Sequence, residues 1–473
     1  MATPARALRR GTVVRYAVGS VGTGGFGTLP GLVLLYYMVT TLGVDGGFAA
    51  LAIGVAKIWD VLIDPWIGAR SDRSLARTGS RRRFMVIGAV FMPIFFVLTF
   101  AVPAGLPPVA SAAWVLVAFL LTATAFSLFQ VPYIALPAEL VDSYDARTKL
   151  LSARVIVLTL AILAFGGGAP ELVALGADTY QGHLIMAAVA AVIFFVAFLV
   201  TSTVERSAAV DRVPTAPASD PVTGLEPPDL GVLSNFRRGW SAVRASQPYR
   251  ALLLTFVVQA LAIGLMLAGV AFIAGQILGT GTLLLFLSLI APAIVVTPVW
   301  SVISRRIGKE RAFAIATVVF AVAAASLVLL VWFPGEWLYA PVAVAGAAYA
   351  GLQSLPLAML PDAVAHDAQT NGPGRAGTFS GVWTAGETAG LALGSPVLGI
   401  LLTATAFIPT EGGAIVEQPA SAIVGIVLAF SVIPAALMLL SLIPLARYPL
   451  RKADIDALAG AGELPPPLPG AVA

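Results

Sequence analysis

Twelve separate stretches of this 473-residue chain are apolar over lengths sufficient to cross a bilayer, where a spanning helix needs about 20 residues. They fall at 13–42, 47–69, 84–105, 109–138, 150–175 and 182–204, then at 250–278, 282–304, 312–333, 338–362, 376–407 and 421–446. Only 11% of the residues are charged, whereas soluble domains carry about 25%, so water cannot be the solvent on all sides. The expected fold class is an all-α membrane protein with twelve transmembrane helices in two six-helix halves.

The formal charge of +4 raises the question of nucleic acid, and the placement of the basic residues answers it. Arg6, Arg9, Arg10 and Arg15 precede helix 1, and Arg70, Arg73, Arg77 and Arg81 to Arg83 lie between helices 2 and 3. Arg147, Lys149 and Arg154 follow helix 4, Arg305, Arg306, Lys309 and Arg311 follow helix 8, and Arg375 follows helix 10. Arg447, Arg451 and Lys452 follow helix 12. The intervening loops carry only acidic residues: Asp45, Glu171, Asp178, Glu336, Glu411 and Glu417. Lys and Arg concentrate in short cytoplasmic loops, so the pattern predicts both termini in the cytoplasm and a multi-pass protein of the cell membrane. The excess charge is a topology signal, and the bilayer rather than nucleic acid is the expected large partner.

Four segments follow: a six-helix half at 1–204, a cytoplasmic linker at 205–249, a second half at 250–448 and a cytoplasmic tail at 449–473. The linker begins Pro-rich. Over 230–244 it places Leu233, Phe236, Trp240 and Val243 at helical spacing beside Arg237, Arg238 and Arg244, as an interfacial helix would. The halves repeat one another. Arg77 to Phe84 and Arg306 to Phe313 both read R-x-G-x-x-R-x-F. Pro132 and Pro137 end helix 4 as Pro356 and Pro361 end helix 10. Transporters built from repeats bind substrate near the bilayer midplane, between the halves.

Helix 2 carries the densest intramembrane charge. Lys57, Asp60 and Asp64 are spaced i, i+3, i+7 and share one face. Each costs about 2.5–3.5 kcal/mol at a helix centre on the insertion scale, which makes three together an expense with a purpose. Two carboxylates a turn apart can ligate a hard cation or share a proton. A purely structural lysine–carboxylate network is the alternative.

With these residues in view, Asp60-x3-Asp64-Pro65-x2-Gly68-x2-Ser71-Asp72-Arg73, followed by Gly79-x-Arg81-Arg82, resembles the signature of the glycoside–pentoside–hexuronide:cation symporter family. This is the melibiose-permease branch of the major facilitator superfamily. Pro132-Tyr133-x-Ala135-Leu136-x2-Glu139-x2-Asp142, with Arg147 and Arg154, is similar to its second signature. Pro361-Asp362, Asp367 and Gly377-x3-Gly381-x-Trp383 are similar to its third, and the likeness includes Tyr36-Tyr37 in helix 1. The resemblance implies the major-facilitator fold, cation-coupled symport of a sugar or glycoside by alternating access, and cation coupling by Asp60 and Asp64 with the hydroxyl of Ser127.

It also implies a substrate region that here departs from the family. Acidic residues of melibiose-type members are replaced by Gly24 and Gln130, and a helix-11 lysine by Thr388, beside Glu387. Arg154 matches a family arginine near the sugar, and Ile63 stands where a polar neighbour of the second aspartate is expected, which leans the ion toward protons. Tyr133, Trp383 and Trp59 are candidate ring-stacking walls. Glu387, about 20 Å along its helix at 1.5 Å per residue and set among small residues, is expected to face the bundle. It would serve as a second protonatable group, as the partner of a cationic substrate part, or only as a partner for Lys57 or Arg154. Lys57, Arg70, Asp72, Arg73, Glu139, Asp142, Arg147, Asp362 and Asp367 are candidates for a gate network on the cytoplasmic side.

The competing readings are a symporter for an amphiphilic or organic-acid solute, and a non-transporting receptor on the same fold. No cofactor is expected beyond a coupling H+ or Na+, no metal, and a monomer as the working unit. His183 and His366 lack ligand company, Gly166-Gly167-Gly168 lacks the strand–helix context of a phosphate loop, and cysteine is absent. No arrangement of nucleophile, base and metal ligands points to an enzyme.

Overall fold

The computed structural model describes residues 10–140, 144–204, 243–279, 282–371, 376–414 and 416–451. Twelve helices in it are long and apolar enough to cross a membrane. They are α1 (Arg10–Thr40), α2 (Gly46–Thr78), α3 (Arg82–Phe100), α4 (Pro108–Leu140), α5 (Tyr144–Val173) and α6 (Thr179–Ser202). The second set is α7 (Gln247–Leu278), α8 (Leu283–Ile307), α9 (Lys309–Val331), α10 (Tyr339–Asn371), α11 (Ala376–Ala404) and α12 (Ala420–Ala446).

Two corrections to the sequence spans have a physical cause. Helices α2 and α10 each run nine residues past the apolar stretch, because Arg70–Thr78 and Ala363–Asn371 keep forming helix after leaving hydrocarbon. Helix α3 ends five residues earlier, at Phe100, just before the helix-incompatible Pro103. Most of the expected interfacial helix at 230–244, most of the linker and all of 452–473 lie outside the described residues.

The duplication read in the sequence is present in the packing. In the first half α1 packs on α5 and α6, α2 on α4, and α3 on α4 and α6. In the second, α7 packs on α11 and α12, α8 on α10, and α9 on α10 and α12. Local details repeat as well. A π-turn interrupts α1 at Pro30–Leu34 and another ends α7 at Ile273–Leu278. The two repeated glycines, Gly79 and Gly308, both end a helix with positive φ, 68° and 96°, which a side chain would strain. The acidic loop residues Asp45 and Asp178 cap the starts of α2 and α6, accepting from Gly47 N at 2.8 Å and Gln181 N at 2.7 Å.

The halves meet through α2 with α11, α5 with α8, and α1 with α7. Their contacts gather at the end away from the chain termini. There Thr410 N donates to Val39 O at 3.0 Å, Gly412 N to Thr41 O at 2.9 Å and Gly413 N to Thr40 O at 3.0 Å. The Ser395 hydroxyl reaches Gly31 O at 3.3 Å, and Thr282 reaches Gly166 O at 3.3 Å. Two glycines of the run in α5 have their explanation here: a Cβ on Gly166 would lie 2.4 Å from the Phe286 ring of α8, and one on Gly167 2.5 Å from the Leu283 side chain. Helices α2, α5, α8 and α11 are also the least buried, with 22–35% of their apolar windows inside the protein against 44% or more for the others. These four helices are clasped at one end and expose more of their surface than the rest.

Candidate functional site

The apolar surroundings of α2 hold three charges at mid-helix. Lys57 Nζ lies 3.5 Å from Asp60 Oδ2, and its ammonium sits 5.5 Å from the centre of the Phe119 ring and 6.0 Å from that of Phe26. The cation–π contacts and the ion pair hold the lysine on the N-terminal side of the pair. One turn further on, Asp64 faces the buried hydroxyl of Ser127 on α4. Trp59 fixes the neighbouring register of the two helices, donating from Nε1 to Thr124 Oγ1 at 2.9 Å. Ile63 contributes no oxygen. Asp60 Oδ1 and Asp64 Oδ1 are both buried with no protein hydrogen-bond donor. Buried oxygens of this kind are rare in native proteins, and a charged one needs a cation or a proton. The site's formal charge is one lysine minus two aspartates, or −1, which a single monovalent cation or proton brings to zero.

A second polar cluster joins α1, α4 and α5. Tyr133 stacks on Tyr16 with ring centres 4.7 Å apart, donates to Tyr16 O at 3.0 Å and bonds Ser20 Oγ at 2.9 Å. The guanidinium of Arg154 lies 5.5 Å from the Tyr133 ring centre, and its Nε has no acceptor. Gln130 Oε1, close by on α4, is buried without a donor. Tyr133 is fully buried and committed to α1, so it supports Arg154 rather than presenting its own face. Gly24 faces α5, where a Cβ would meet Leu158 O and Ala161 Cβ at 3.0 Å, so any side chain there would have to push its neighbours aside.

In the second half, Trp383 of α11 stacks on Phe256 of α7 with centres 4.3 Å apart, and its Nε1 has no acceptor. Glu387, one turn on, lies near Tyr349 of α10, whose hydroxyl accepts from Gln353 Nε2 at 2.5 Å. Thr388 is exposed. The fallback partners considered for Glu387 do not meet it: Lys57 pairs with Asp60 and Arg154 sits on Tyr133.

Several gate candidates make contacts inside their own half. Arg70 stacks on Trp66 at 3.8 Å, Arg81 bonds Ser71, and Arg73 is exposed at the end of α2. Asp362 takes a 2.5 Å ion pair from Lys309, and Asp367 accepts from Asn371 at 2.8 Å. Asp142 and the side chains of Asp72, Glu139 and Arg147 lie outside the described residues. Tyr16, Ser20, Tyr349 and Gln353 were missed in the sequence. Their signal was weak: one polar group every helical turn inside an apolar span.

Residues 15–452 match the family model described as MFS/sugar transport protein. An uncharacterized symporter of Synechocystis sp. is 29% identical over 30% of this chain, and the chain spans only 27% of that protein's length. The isoprimeverose transporter of Lactiplantibacillus pentosus is 24% identical over 90% of this chain and 86% of its own length. The crystal structure of a D-xylose-proton symporter superposes with a TM-score of 0.66 at 14% identity, covering 93% of this chain and 98% of that one. At that identity the likeness is one of fold.

Proposed function

The chain belongs to the MFS/sugar transport protein family, a family of membrane transporters rather than enzymes, and on that premise we propose that it is a cation-coupled symporter of a sugar or glycoside. The observation that carries the coupling is the pair of buried, donor-free oxygens of Asp60 and Asp64 on one face of α2, beside Ser127. Similarity to an isoprimeverose transporter supports a sugar as cargo, and similarity to a symporter supports co-transport.

The mechanism follows from charge. In the clasped state the halves meet away from the termini; with both termini cytoplasmic, as the loop charges predict, that side would be external and the site would face the cytoplasm. Reversal requires the halves to close over α2. Closing over a net charge of −1 would remove an unpaired carboxylate from water, which is prohibitive in an apolar interior. A cation or proton at Asp60 and Asp64 removes that cost. The ion then biases the equilibrium through its differential affinity for the two states, and substrate between the halves is carried with it. Ile63 in place of a further oxygen favours a proton over sodium. Arg154, Gln130 and Trp383 carry unmatched polar groups that would meet the cargo, with the carboxylate of Glu387 one turn from Trp383. Gating would then rest on the basic and acidic residues at the cytoplasmic end, and the protein would work as a monomer in the cell membrane with both termini inside.

One observation favours an amphiphile or organic acid as cargo. Gly24, Gln130 and Thr388 supply no charged partner for sugar hydroxyls. The test is uptake of labelled glycosides, organic acids and lysolipids into vesicles under an imposed proton or sodium gradient. Gradient-driven accumulation of a glycoside supports the proposal, and accumulation of only the other classes replaces the cargo.

A further inference from the structure

We propose that the groove between α7 and α12, at the end bearing the termini, binds an anionic phospholipid, with the phosphate held by Arg250 and Arg447 and an acyl chain laid along Leu254, Val258, Leu440 and Ile443. The groove is a cavity of about 350 Å³ whose walls include these six residues. Arg250 lies in the first turn of α7 and Arg447 directly follows α12, so both charges sit where hydrocarbon gives way to headgroups. The apolar wall continues inward from them. Leu254 and Val258 lie one and two turns deeper, about 6 and 12 Å at 1.5 Å per residue. Leu254, Leu440 and Ile443 are more than half exposed on membrane-spanning helices, a surface that faces lipid.

Among the described residues, the groove offers the two arginines no counter-charge. No carboxylate lines it there. Arg250 reaches a neutral acceptor, Arg244 O at 3.4 Å. Gln247 Nε2 donates to Arg447 O at 2.7 Å, which pins the end of α12 beside the start of α7 without engaging the Arg447 side chain. Nearby basic residues are treated differently: Lys309 pairs with Asp362, and Arg451 with Glu310 at 3.3 Å. A soluble anion would use the two charges and leave the apolar wall unexplained. A zwitterionic lipid would bring its own cation toward two guanidinium groups. An anionic phospholipid matches both features, and basic pockets between spanning helices are its usual sites.

The full-length protein, purified in detergent, is tested by thermal shift and by native mass spectrometry with phosphatidylglycerol, phosphatidylcholine or inorganic phosphate. Phosphatidylglycerol is expected to raise the melting temperature saturably and to stay bound, whereas phosphatidylcholine and inorganic phosphate do neither. Arg250→Gln and Arg447→Gln should each weaken retention about fivefold, and roughly thirtyfold together. Arg10→Gln, which removes a charge at the same end, should leave retention unchanged. Leu254→Trp fills the groove and keeps both charges, and it should also reduce retention, an arm that stands if the double variant does not fold. An equal response to the two lipids, the same shift with inorganic phosphate alone, or unchanged retention in both the arginine and the Leu254 variants would overturn the proposal.

Discussion

Leu42 and Glu411 form an isolated antiparallel bridge between the α1–α2 loop of one half and the α11–α12 loop of the other. Main-chain bonds from Gly412 and Gly413 to Thr41 and Thr40 extend it, and the Thr403 hydroxyl adds a 3.2 Å bond to Asp45. The clasp that closes this end of the protein is thus largely main chain, and it ties residues nearly 370 positions apart.

The bridge can be locked. Residues opposed in an antiparallel pair have Cα atoms about 4.5–5.5 Å apart, within the range a disulfide spans. The protein has no cysteine, so Leu42→Cys with Glu411→Cys provides a single oxidisable pair. Oxidation is expected to stop transport and reduction to restore it. Undiminished uptake by the oxidised variant would mean that this end does not open.

Gly166→Val tests the second closing contact. Its side chain would enter the Phe286 ring, where even a Cβ lies at 2.4 Å. Overpacking of this kind costs about 1–3 kcal/mol, here charged only to the state in which α5 and α8 touch. The variant should fold and should move toward the opposite-facing state. Labelling of a cysteine introduced at the clasped end should become faster, while an unchanged rate would place the contact outside the conformational cycle.

Simple galactosides should be poor cargo. Each charge-assisted hydroxyl bond is worth about 1.5–3 kcal/mol, and neither Gly24 nor Gln130 supplies a carboxylate. Restoring an acid at Gly24 should not rescue uptake, since a Cβ there already meets Leu158 O at 3.0 Å. Saturable melibiose uptake by the parent protein in a transport-deficient host would contradict this.

Much of the fold was legible because bilayer thickness fixes helix length and loop charge is periodic. The repeated R-x-G-x-x-R-x-F pattern located equivalent helix ends, with Gly79 and Gly308 marking the stops. The helix-2 face was legible for a related reason, since charges in hydrocarbon stand out. The partners were not. That Tyr133 is committed to Tyr16 and Ser20, and that Glu387 lies by Tyr349 rather than a basic residue, depends on how helices rotate against one another. Hydropathy carries no information about that rotation. Gly166 had no reading as sequence and gained one from the ring of Phe286, a neighbour 120 residues away.

The central claim is that Asp60 and Asp64 couple ion movement to cargo, and replacing each with Asn tests it most directly. Asn removes the charge while nearly preserving volume, so packing against α4 should survive. A variant that needs no cation to close over α2 loses the ion's differential affinity and with it the driving force. The measurement is paired: gradient-driven accumulation and equilibrium exchange of the same labelled cargo in vesicles holding equal amounts of folded protein. The account predicts that Asp60→Asn and Asp64→Asn abolish accumulation and retain at least partial exchange. Accumulation at the parental level in both variants would show the carboxylate pair to be structural and would contradict it.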